Sequence, residues 1–154
     1  MTKPFSLQPI MNLAQHQNDT ATRRLGQLNR QQQGAQKNLD TLLEYRKDYQ
    51  TRLQEAAQNG MNQADLRNFQ QFINKLDEAI SQQLKQVEQT KAATQAGRSE
   101  FDATRRKLES FDTLRQRHVE ELRKVAERSE QKTLDEHTGR MAAYRMSNTE
   151  DQGK

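Results

Sequence analysis

One apolar spacing runs almost without a lapse through the first third of the chain. Leu7, Met11, Ala14, Ala21, Leu25, Leu28, Ala35, Leu39, Leu42, Tyr49, Leu53 and Ala56 fall on alternating steps of three and four residues, and only Asn18, Gln32 and Arg46 interrupt them. A mean period of about 3.5 residues keeps one narrow stripe facing a partner helix, which makes this the a/d seam of a coiled coil. The ladder stops at Asn59-Gly60 and resumes with Leu66, Phe69, Ile73, Leu76, Ile80 and Val87. It then continues through Phe101, Leu108, Phe111, Leu122 and Val125. The expected fold is therefore all-α, two long helices forming an antiparallel coiled-coil hairpin. A rod of this kind offers no concave pocket, so function must lie on its surface or at its ends.

Composition fits that reading. Apolar residues make up 31% of the 154, against about 45–50% in ordinary globular domains. That is too few for a layered core, yet it suffices where about two of every seven positions need be apolar. Pro4 and Pro9 are the only prolines. An interior proline costs a helix about 3 kcal/mol, so the stretch from Ile10 onward permits very long helices. A disordered chain would carry more proline and no period.

The net charge of +4 is spread thinly, with +3 on residues 1–60, +1 on 61–110 and zero on 111–154. The densest basic run, Arg105-Arg106-Lys107, has Glu109 close behind it, so a nucleic-acid footprint is poorly supported. Cysteine is absent, which removes disulfides and thiolate metal sites and favours a reducing compartment. The N-terminal residues hold no long apolar run that would read as a signal peptide. No stretch approaches the roughly 18 apolar residues of a membrane span. A soluble, cytoplasmic, monomeric protein is expected.

Residues 1–146 are expected to form a single domain, with helix 1 over about 7–58, a turn at 59–62 and helix 2 over about 63–138. Residues 1–6 read as a short cap, and 147–154 as a disordered tail. Gly60 suits a left-handed residue ending helix 1. Asn62 suits the N-cap of helix 2, with Asp65 in its first turn. Helix 2 is weak in its middle, where Gln83, Thr90, Thr94 and Gly97 occupy seam positions. A kink, a loose layer or a register shift is expected near Ala92–Gly97. Reversal near residue 60 places residues whose numbers sum to about 121 opposite one another. Beyond Leu114 helix 2 then has no partner in the hairpin, and Leu122, Val125, Ala126 and Leu134 form an apolar edge open to another protein. The open end is expected to fray and the turn end to be firmer, because Leu39, Leu42, Leu53, Leu66, Phe69 and Ile73 concentrate there.

Catalysis finds little support. His16, His118 and His137 lie far apart, and general-base or metal chemistry needs convergent groups. The six glycines are isolated and build no phosphate loop. The sharper feature is an apolar stripe beside the seam. Leu42, Tyr45 and Tyr49 are spaced three and four on helix 1, and Phe72, Leu76 and Ala79 four and three on helix 2. In an antiparallel pair these edges merge into one aromatic patch, and exposed aromatic patches mark interfaces. Asn18, Gln32 and Arg46, fourteen residues apart, are polar a positions. Such residues fix register at a cost in stability, or simply mark an imperfect seam.

These residues resemble a known family. Leu42-Leu43-Glu44-Tyr45-Arg46-Lys47-Asp48-Tyr49, then Asn59-Gly60, and the run from Arg67 through Phe69-Gln70-Gln71-Phe72-Ile73 to Leu76-Asp77-Glu78-Ala79-Ile80 are similar to the flagellar export protein FliJ family. Arg105-Arg106-Lys107-Leu108 and Glu130-Gln131-Lys132-Thr133-Leu134-Asp135-Glu136 agree, and the likeness covers residues 7–145. It implies a fold like the gamma-subunit stalk of rotary ATPases. It also implies a component of the type III flagellar export apparatus that is not an enzyme, needs no cofactor, and works in the cytoplasm against the inner membrane at the flagellar base. The implied partners are the flagellar export ATPase (FliI) ring, its regulator (FliH), the export gate protein (FlhA) and export chaperones. The family's gate-binding positions fall on Leu42, Tyr45, Tyr49, Phe72, Leu76 and Ala79. Asn38 stands where glutamine is usual and Gln83 where histidine occurs. By the stalk analogy the open end would meet the ATPase ring through Arg123, Lys124, Arg128, Gln131 and Lys132. Two other classes remain open from the sequence, a nucleic-acid-binding helical rod and a self-associating structural coiled coil.

Overall fold

A computed structural model describes residues 6–151, which form two helices: α1, Gln8–Gln58, and α2, Gln63–Asp151. Among the described residues there is no strand. Pro9 falls in the first turn of α1, where its missing N–H would lack an intrahelical partner anyway. The terminal stretches 1–5 and 152–154, expected as a cap and a tail end, lie outside the described residues.

The turn is closed by local chemistry. The Asn59 amide donates to the Glu55 carbonyl at 3.1 Å and the Gly60 amide to Ala57 at 3.4 Å. Gly60 then takes φ of 85°, in the left-handed region that a Cβ disfavours. Asn62 caps α2: its Oδ1 accepts from the Asp65 amide at 2.8 Å, satisfying one of the donors that a helix start leaves free.

The residues divide into two units. In the first, Ala14–Arg106, the two helices pair antiparallel. Four contacts fix the register. Asn18 Nδ2 donates to Thr104 Oγ1 at 3.1 Å, Gln83 Nε2 to the Ala35 carbonyl at 2.9 Å and Thr94 Oγ1 to the Leu28 carbonyl at 3.3 Å, while Arg46 pairs with Asp77. The residue numbers in each contact add up to between 118 and 123, so the register holds along the whole unit. Every ladder position of α1 in this unit is buried or half-buried, with only Gly26 and Asn29 beside them. The core cluster is Ala35, Leu39, Ile80 and Val87, with Leu42 packed against it. Burying each large side chain contributes about 1.5–3 kcal/mol. Of the residues expected to firm the turn end, Leu39 is buried and Leu42 packs against the core, but burial falls off toward the turn itself. Leu53, Phe69 and Ile73 are half-buried there and Leu66 is exposed, because the end of a two-helix pair has no next layer to cover it.

The middle of α2 is continuous helix and holds no register shift. Thr90, Thr94 and Gly97 are buried. A Cβ built on Gly97 would lie 2.5 Å from Leu28 Cδ1. The small residues are thus a notch that receives Leu28. The Thr94 hydroxyl also meets the Thr90 carbonyl at 2.8 Å, so the polar atoms of the notch are satisfied.

The second unit comprises residues 6–13 with 107–151. Leu7, Met11, Leu108, Phe111, Asp112, His118 and Leu122 are half-buried in it, and every residue from 123 to 151 is exposed. The helix does not fade near Thr138-Gly139, and residues 147–151, expected as tail, are helical. Gly139 keeps a negative φ, and Arg140-Met141-Ala142-Ala143 beyond it are strong helix formers.

Candidate functional site

Two helix faces meet beside the seam near the turn. The rings of Tyr49 and Phe72 stack across the pair with centroids 4.1 Å apart and planes at 27°. Phe69 leans on Tyr49 at 5.5 Å and 55°. Contacts of this kind contribute about 0.5–1.5 kcal/mol beyond area burial. Positions 49 and 72 sum to 121, and the same register sets Tyr45 level with Leu76 and Leu42 level with Ala79. All six positions chosen from spacing therefore lie along one stretch of the pair, in unequal exposure. Tyr45 is 57% exposed and Phe72 41%, while Leu76 is only 8% exposed. Leu42, Tyr49 and Ala79 are half-buried. Tyr45 and Phe72 are the side chains offered outward, and Leu76 is buried. Of the flanking positions, Asn38 is exposed, whereas Gln83 is half-buried and spends its amide on the Ala35 carbonyl.

The polar interruptions of the seam have partners across it. Arg46 pairs with Asp77 through Nε and Nη2, and its Nη1 donates to Gln50 Oε1 at 3.1 Å. The hydrogen bond and charge of Asp77 raise the Arg46 pKa above its ordinary value. Both side chains are partly in water, so the pair adds little stability and chiefly marks register. Asn18 does the same through Thr104. Asp77 was missed by the hydrophobic ladder, although its number and that of Arg46 nearly meet the register sum.

A shallow groove of about 620 Å³ opens at the turn, lined by Tyr49, Ala56, Asn59, Gly60, Met61, Asp65, Asn68, Phe69 and Phe72. The expectation of no concavity is corrected here. The groove arises from the four-residue reversal, and no helical period encodes it. Phe69 was read only as a seam residue, and its spacing of three from Phe72 was the signal for this wall.

Farther along α2, Arg123 is held on its own helix by Glu120 and Glu127. The hydrogen bond from Arg123 keeps the Glu120 carboxyl below its ordinary pKa. Gln131 Nε2 donates to Asp135 Oδ1 at 2.9 Å. Lys124, Arg128 and Lys132 are exposed, and Val119, Val125 and Leu134 are exposed beside them at 57–60%. Among the described residues no three histidine or carboxylate side chains gather as a metal site would need. No helix there is long and apolar enough to cross a membrane.

Comparison with known proteins completes the picture. The family model described as "Flagellar FliJ protein" matches residues 2–147. The chain is 29% identical over 142 residues to the flagellar FliJ protein of Salmonella typhi, covering 92% of this chain and 97% of that one. It is 28% identical to the flagellar FliJ protein of Escherichia coli K12 over the same shares.

Proposed function

The chain belongs to the flagellar FliJ protein family, and from that membership we propose that it is a stalk-like linker in the flagellar export apparatus, coupling the export ATPase ring to the export gate. The single observation that best supports the gate contact is the Tyr45–Phe72 face. It presents two exposed aromatic side chains on a base locked by the Tyr49–Phe72 stack. Exposed aromatics on a rigid base make binding anchors because they bury much area at little cost in side-chain entropy. The gate surface comprises Leu42, Tyr45, Tyr49, Phe72 and Ala79, with Leu76 beneath. The ATPase ring contact is assigned to the C-terminal part of α2, where Lys124, Arg128 and Lys132 lie beside exposed Val125 and Leu134. By this reading the protein acts peripherally at the inner membrane. It meets the ATPase regulator as well as the ring, and handles unloaded export chaperones.

The test separates the two contacts in the full chain. Tyr45→Ala should weaken binding to the cytoplasmic part of the gate protein about tenfold, the loss expected of an aromatic anchor. ATPase stimulation should remain intact. Charge reversal at Lys124 and Arg128 should do the opposite. Calorimetry for the gate and a phosphate-release assay for the ATPase read the two. Loss of both functions in either variant contradicts separate sites.

A further inference from the structure

We propose that the groove at the turn is a seat for an arginine side chain presented by the gate partner, an inference that rests on the gate-docking reading above. One wall is aromatic, made by Tyr49, Phe69 and Phe72. Asp65 lines the same groove. It precedes Phe69 by four residues and Phe72 by seven, a spacing that puts all three on one face of α2. The Asp65 backbone amide bonds to Asn62, but its carboxylate makes no ion pair among the described residues.

Asp65 is the one charged residue in the groove's lining. Arg52 and Arg67 flank the turn on either side, and neither lines the groove. The last turn of α1 carries no basic residue to meet its carbonyl end. The start of α2, by contrast, is answered by Asn62 and Asp65. The Asp65 carboxylate disfavours a carboxylate or phosphate in the groove. A purely apolar side chain would strip water from Asp65 without replacing its hydrogen bonds. A guanidinium meets both demands, since its flat face packs on aromatic rings and its edge bonds the carboxylate. The seat lies next to Phe72, so one partner segment can cover Tyr45 and Phe72 and reach the groove without a break.

The experiment is isothermal titration of the full chain with the cytoplasmic portion of the export gate protein, at low and high salt, using Asp65→Asn beside Tyr45→Ala. Asp65 is exposed, and circular dichroism should show its variant as helical as the parent. Asp65→Asn is expected to weaken binding about fivefold at low salt, the effect of one partly exposed charge pair. It should also flatten the salt dependence. If Tyr45→Ala weakens binding while Asp65→Asn changes neither affinity nor salt dependence, the arginine seat is overturned and the docking face stands. If Tyr45→Ala has no effect, the docking face and the seat built on it both fall.

Discussion

Gly34 and Gly97 are both helical glycines in opposite surroundings. Nothing lies within 4 Å of a Cβ built on Gly34, whereas one on Gly97 would meet Leu28 Cδ1 at 2.5 Å. Gly34→Ala should therefore stabilise the protein by about 1 kcal/mol through backbone entropy alone. Gly97→Ala gains the same entropy but crowds Leu28, and overpacking of this kind costs about 1–3 kcal/mol. It should leave stability unchanged or lower. Adding Leu28→Ala should turn Gly97→Ala into a stabilising change, because the crowding atom is gone. Urea denaturation of the four single and double variants reads the coupling directly. The notch is a case where composition misleads: weak seam positions suggest looseness, yet Thr90, Thr94 and Gly97 are buried and leave no room for a Cβ at Gly97 beside Leu28.

The helices differ in how plainly their residues announced them. Along α1 the ladder of threes and fours reproduces the burial pattern almost position for position, since one partner helix is all that each seam side chain faces. Helix α2 is legible only as far as it has a seam. From residue 123 to 151 every described side chain is exposed, no stripe is selected, and helix there rests on propensity, which is a weak signal. The aromatic face was legible because two spacings and one register suffice to merge it. The groove was not, because it depends on how the reversal closes. Burial also sets where the helices should resist opening. Amide hydrogen exchange should be slowest over residues 35–42 and 76–87, faster beside the turn, and fastest over 123–151. Slowest exchange at residues 53–69 would contradict this assignment of the core.

At the scale of the full chain, family membership points to a component of the flagellar export apparatus. Its described residues present an aromatic face with a groove beside it that Asp65 lines, and a run of α2 with basic and apolar side chains open to solvent. In the proposed reading the first serves the gate and the second the ATPase ring.

Only the residues 59–62 tether α1 to α2. Linkage this short holds the two strands at an effective concentration of the order of millimolar, so a seam with notches and polar steps can still zip at any dilution. A single proteolytic cut after Gly60 would abolish that advantage. The nicked fragments should melt at a temperature that falls as the sample is diluted, while the intact chain keeps the same midpoint at every concentration.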